Sequence, residues 1–251
     1  MLLLLLSLAL SGACGRTGGL DRPTRQLLYE LDGYVSARDV YVARKLDQMD
    51  ALRKLAEATQ DPLLRYETEM NIADAYFAFS FDSTQYYLKH CQELAASRLK
   101  DQDRFNAASI QLGHLYAKAG SYMEAYNLLY EQIDTTSLSE SLKTDYLLAL
   151  YDFSKDLAGN SGMVERLAIP DAAPFRAELY ERLPKDSEAW RTLLRDELFE
   201  QERYASADSV GRILLASTNP EEHAYAIYAF YLSDIADRMG RPADRMAWLI
   251  R

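Results

Sequence analysis

The sequence is poor in the residues that interrupt helices, with 11 glycines and 7 prolines among 251 residues. Leu, Ala, Tyr, Glu and Arg recur instead at helical spacing, and the balance argues for an all-α chain. Cysteine is almost missing. Cys14 stands at the end of an apolar leader and Cys91 inside a helical pattern, so an internal disulfide framework is excluded, and Cys91 reads as a small core residue. The three histidines, His90, His114 and His223, are far apart and lack metal-ligand spacing to a cysteine or to one another. Also missing are a glycine-rich phosphate loop, a Gly-x-Ser-x-Gly elbow and a His-Glu-x-x-His motif, so neither catalysis nor a metal or other cofactor is expected. Clustered Lys and Arg are absent too, and the formal charge of −10 argues against direct nucleic-acid contact by this segment.

What is present suffices for a core: 49% hydrophobic and 26% charged residues, in one elongated array or one large domain. Residues 1–14 form an apolar stretch of signal-peptide length, which predicts export. Ser11 and Ala13 fit cleavage after Ala13. Ser11-Gly12-Ala13-Cys14 also resembles a bacterial lipoprotein box, in which Cys14 would carry lipid. Residues 15–25 read as a linker.

Residues 26–60 then form one long amphipathic helix, with Leu28, Leu31, Val35, Val42, Leu46, Met49, Leu52 and Leu55 recurring every three or four positions and Tyr34 and Tyr41 widening the stripe. Arg38 and Lys45 interrupt it, so a helix laid against the rest of the chain is favoured over a coiled coil. A homodimer through this helix stays open. Asp61-Pro62 ends it and starts the next, and Asp82 or Ser83 is expected to cap the returning helix of the first pair.

Residues 61–251 divide into helix pairs. The stretch Asn106 to Glu131 is the clearest, with two amphipathic patterns joined at Gly120, where Gly113 and Ala125 permit close approach and Leu112, Tyr116 and Tyr122 fill the surroundings. Turns recur near Ser80, Gly120, Gly159, Glu202 and Gly240, about 40, 39, 43 and 38 residues apart, the period of a helical-pair solenoid. One pair cannot bury its apolar face alone, so neighbours must stack. The last unit ends after about two turns of its second helix, which reads as a C-terminal truncation.

Leu112, Gly113, Tyr116, Gly120, Tyr122 and Ala125 resemble the tetratricopeptide signature, with Gln132 where a small residue is usual. The implied fold is a tetratricopeptide-like superhelix of stacked antiparallel helix pairs preceded by a long N-terminal helix. The leader, then LDGYVSARDVYVARKLDQMDALRKL, AYFAFSFDSTQYYLKHCQELA and HAYAIYAFYLSDIADRMG, is similar to the extracytoplasmic part of tetratricopeptide membrane-bound transcriptional regulators of Bacteroidetes. That resemblance implies a non-enzymatic periplasmic sensor whose transmembrane and DNA-binding parts lie outside this segment. The membrane would be reached through the leader or through the absent C-terminal segment. The alternatives are a lipid-anchored assembly or accessory protein of the periplasm or outer membrane, and a helical glycan-binding lipoprotein.

In stacked pairs the first helix of each lines the concave face. By register Met70, Asp74, Phe77, Ile110, His114, Ala117, Asp196, Phe199, Phe230, Asp234 and Asp237 look into it. An acidic groove with aromatic floors suits a protein or extended peptide partner of basic or amphipathic character.

Overall fold

The computed structural model describes residues 22–136, 138–158, 162, 167 and 171–250. The leader, Cys14 and most of the linker lie outside them. Among the described residues there are eleven α-helices and no strand. They are α1 (Arg22–Ala58), α2 (Pro62–Tyr76), α3 (Phe81–Leu94), α4 (Gln102–Lys118), α5 (Tyr122–Tyr126), α6 (Glu140–Ala158), α7 (Ala172–Arg182), α8 (Glu188–Glu200), α9 (Tyr204–Ser217), α10 (His223–Arg238) and α11 (Pro242–Leu249). Both α3 and α5 run on as π-helical turns, Ala95–Leu99 and Asn127–Gln132.

Helix boundaries follow from local chemistry. The carboxylate of Asp61 accepts from the Leu63 N–H, and Pro62 fills the first helical position, where no amide hydrogen is needed. At α3 the structure differs from expectation. Ser80, not Asp82 or Ser83, takes the extended N-cap conformation and accepts from the Ser83 N–H, so the helix starts at Phe81 and the other two residues fall within its first turn. The turns at Gly120, Glu202 and Gly240 share one device: a left-handed residue (φ +79°, +58° and +68°), whose successor's N–H reaches back to the carbonyl of Tyr116, Leu198 and Ala236 respectively. Those reversals satisfy carbonyls left free at the helix ends and fold each second helix back on its first.

Successive pairs α2/α3, α4/α5, α8/α9 and α10/α11 are antiparallel neighbours, and α7 packs on α6. The largest cluster of buried side chains runs from Ala73 through Leu112, Tyr116, Ala125 and Leu129 to Phe153 and Leu157, crossing three units. Gly113 is required where it stands, because an added Cβ would lie 2.7 Å from Leu129 Cγ. A second cluster joins Leu214, Leu232 and Trp248 across α9 to α11. Cys91 is fully buried and carries a free thiol.

The helix α1, about 55 Å long at 1.5 Å per residue, is unequal along its length. Its C-terminal third is seated on α2 through Met49, Leu52 and Ala56 against Ile72 and Tyr76. The remainder exposes Tyr29, Tyr34, Val35, Val40 and Tyr41. The helix also meets α11, so it touches both the first and the last of the described units.

Candidate functional site: the inner face of the superhelix

The first helices of consecutive units, α4, α6, α8 and α10, place a ladder of charges on the inner face. His114 and Lys118 are one helical turn apart on α4, and Asp152 and Asp156 repeat that spacing on α6. Facing each other, they pair rung by rung: His114 Nε2 lies 3.2 Å from Asp152 Oδ2, and Lys118 Nζ lies 2.9 Å from Asp156 Oδ2. The next rung joins α6 to α8, where Lys155 Nζ donates to Asp196 at 2.6 Å and lies 3.5 Å from Glu200, which Arg176 of α7 also engages.

At the centre sits Arg195, whose side chain is only 2% exposed. Its Nε donates to Asp196 at 3.0 Å and its guanidinium lies 3.7 Å from the ring centre of Tyr231, while Nη1 has no hydrogen-bond partner among the described residues. Stacking on an aromatic face suits a guanidinium, which is planar and weakly hydrated. The Tyr151 hydroxyl donates to Asp196 at 3.3 Å.

Burial tends to raise the carboxyls of Asp152 and Asp196, yet both are held below the usual carboxylate range, Asp152 by His114 and Lys118 and Asp196 by Arg195 and Lys155. For Lys118, burial works against the ammonium, and Asp152 and Asp156 outweigh it. Charge balance, not acidity, therefore describes the middle of the inner face.

The residues chosen by register are distributed unevenly around this ladder. Ile110 and Ala117 are buried in the core and offer the groove no surface. Met70 is half-buried against the same core. Phe77 and His114 meet, with ring centres 5.2 Å apart. Asp196 belongs to the ladder, Phe199 packs edge-on against Tyr204, and Asp237 pairs with Arg245 at 2.7 Å. Phe230 is half exposed. Burial pushes the Asp234 carboxyl up, the arginines nearby opposing it only in part.

Arg195, Lys118, Asp152, Lys155, Asp156 and Tyr231 were not selected from the sequence. The i,i+4 spacing of His114/Lys118 and of Asp152/Asp156 was the available signal.

Asp74 and Phe77 line a cleft of about 710 Å³ between the end of α2 and the start of α10, with Phe79, Glu221, Glu222, His223 and Ile227, and Lys45 of α1 overhead. Among the described residues no cluster of His, Cys, Asp and Glu is arranged to hold a metal ion, and no helix is long and apolar enough to cross a membrane.

Residues 35–251 match the family described as the SusR N-terminal TPR domain. No curated protein matches the chain.

Proposed function

Because the chain belongs to the SusR N-terminal TPR domain family, we propose that it is the sensor part of a membrane-bound transcriptional regulator, exported to the periplasm, where it responds to a protein or peptide partner. A tetratricopeptide domain of this type is a regulator-related scaffold for protein interaction, in a repeat family that is generally non-enzymatic. The proposed role adds to that scaffold a place, a membrane context and a direction of signalling, and involves no catalytic step.

The observation that supports it is the course of α1, which is fixed to the first unit and meets the last. A ligand that changes the curvature of the array must move one end relative to the other, and a helix spanning both converts that change into a displacement at its free end. The inner-face ladder supplies the restoring force, since its ion pairs, Lys118 to Asp156 and Lys155 to Asp196, link α4 to α6 and α6 to α8.

The test is to read the coding sequence on both sides of this segment. An apolar run of about 20 residues followed by a helix-turn-helix is expected downstream. A stop codon directly after Arg251 in an intact gene would sink the one-piece regulator.

A further inference from the structure

The cleft beneath α1 carries more negative than positive charge. Among the described residues Asp74, Glu222 and Lys45 have no ion-pair partner, although all three line the same space. Three carboxylates, Asp74, Glu221 and Glu222, thus face two cations, Lys45 and the Arg44 guanidinium. Between them the wall is apolar: Phe77 from one end of the array, Ile227 from the other, and Phe79, whose side chain is half exposed and meets Tyr76 at a ring-centre distance of 6.3 Å.

The chain's own occupant of this corner is cationic. Arg44 reaches Glu221 across 3.6 Å, with both side chains more than half exposed, and Lys45 lies beside it. This contact is weak by distance and by exposure. A second cleft of about 630 Å³, lined by Tyr34, Tyr41, Gln48, Pro220 and Tyr225, adjoins the first at Lys45 and Glu221. The buried foot of α1 at Met49 and Ala56 is untouched by either cleft.

We propose that the cleft between the two ends of the superhelix is a binding site for a cationic, apolar-flanked segment of a partner protein, and that the Arg44-Lys45 pair of α1 is its displaceable internal competitor. The incoming lysine or arginine places its charge among Asp74, Glu221 and Glu222 while its neighbours cover Phe79 and Ile227. As it enters, α1 swings away about its foot on α2. This deepens the reading of the array as a partner-binding scaffold by naming the surface and the chemistry of the partner.

The probe is a fluorescein-labelled octapeptide of alternating Lys and Phe, with a Glu and Phe counterpart as control, titrated against the whole protein by fluorescence anisotropy. The lysine peptide should bind in preference to the glutamate one. Arg44→Ser with Lys45→Ser should tighten it by at least about three-fold, because a larger fraction of molecules then has an open site. Asp74→Asn with Glu221→Gln and Glu222→Gln should abolish binding. Spin labels at Asp39→Cys and Ser209→Cys should report a longer distance between α1 and α9 in the presence of the lysine peptide. Equal binding of the two peptides, no tightening on removal of Arg44 and Lys45, or an unchanged label distance in the bound state would each overturn the proposal. Binding that survives the triple carboxamide variant would overturn this site yet leave the scaffold reading standing, and the regulator reading is decided separately by the coding sequence.

Discussion

Replacing Asp196 and replacing Arg195 should have opposite consequences, although the two are adjacent and bonded to each other. Asp196→Ala removes the partner of a guanidinium that is 2% exposed and whose Nη1 already lacks one, leaving the face of Tyr231 as its main remaining contact. The same change deprives Lys155 of its 2.6 Å contact and the Tyr151 hydroxyl of its acceptor. Stranding a buried charge in this way costs about 3–5 kcal/mol, and at about 2–4 °C per kcal/mol for a chain of this size the melting midpoint should fall by roughly 6–20 °C. In Arg195→Met the buried charge disappears while an unbranched side chain still covers Tyr231, and Asp196 keeps Lys155. Stability should then change by less than about 1 kcal/mol or rise. Urea unfolding followed by far-UV circular dichroism measures both variants, provided the dependence on denaturant is unchanged between them. Equal losses in the two variants, or a loss below about 1 kcal/mol for Asp196→Ala, would refute the argument that a desolvated cation organises the inner face.

Gly113→Ala gains about 1 kcal/mol in helix propensity but drives a methyl into Leu129, an overlap costing about 1–3 kcal/mol. Leu129→Ala should therefore be less harmful in the Gly113→Ala background than alone, and additive losses in a double-mutant cycle would contradict the close approach. Because Asp152 and Asp196 are held below the usual carboxylate range, the unfolded chain binds their protons more tightly than the folded one. Their contribution is present above the unfolded value near about 4 and is lost as pH falls through the folded values, so stability should decline from about pH 5 downward. Asp152→Asn with Asp196→Asn should flatten that acid limb, and an unchanged slope would count against the ladder. Cys91, buried with its thiol pushed up by desolvation and then by Glu69, should resist thiol reagents in the native state and react only as the protein unfolds. Rapid labelling of the folded protein would contradict its placement.

The pairs were legible because each rests on short-range chemistry. Gly120 and Gly240 announce left-handed turns, and Asp61-Pro62 announces a helix start. Periodic Leu and Tyr then mark which face is covered. Glu202 occupies the same left-handed conformation as the glycines, and it was found by spacing, since its side chain gives no such signal. The π-helical turns at Ala95–Leu99 and Asn127–Gln132 had no signature in the pattern, because a single widened turn barely disturbs a helical stripe.

The inner face was legible as a set of positions and not as a chemistry. Register places His114 and Asp196 there, but it does not show that Asp152 and Lys155 come across from the neighbouring unit to neutralise them. Such pairing depends on how far successive units rotate, which is fixed by side chains elsewhere. The seat of α1 was half visible: its stripe shows that one face must be covered, and only the fold shows that Met49 and Ala56 are covered by α2 while Tyr29 and Val40 are not.

An open array of repeats has two frayed boundaries, since each terminal unit has a neighbour on one side only and melts ahead of the middle. Here α1 is a neighbour common to the first and the last of the described units. The ends then cannot loosen independently: an event that melts α10 and α11 removes a support from α1, and loss of α1 uncovers α2. Amide exchange in α2 and in α11 should consequently rise and fall together, a correlation foreign to a one-dimensional stack and characteristic of a closed loop.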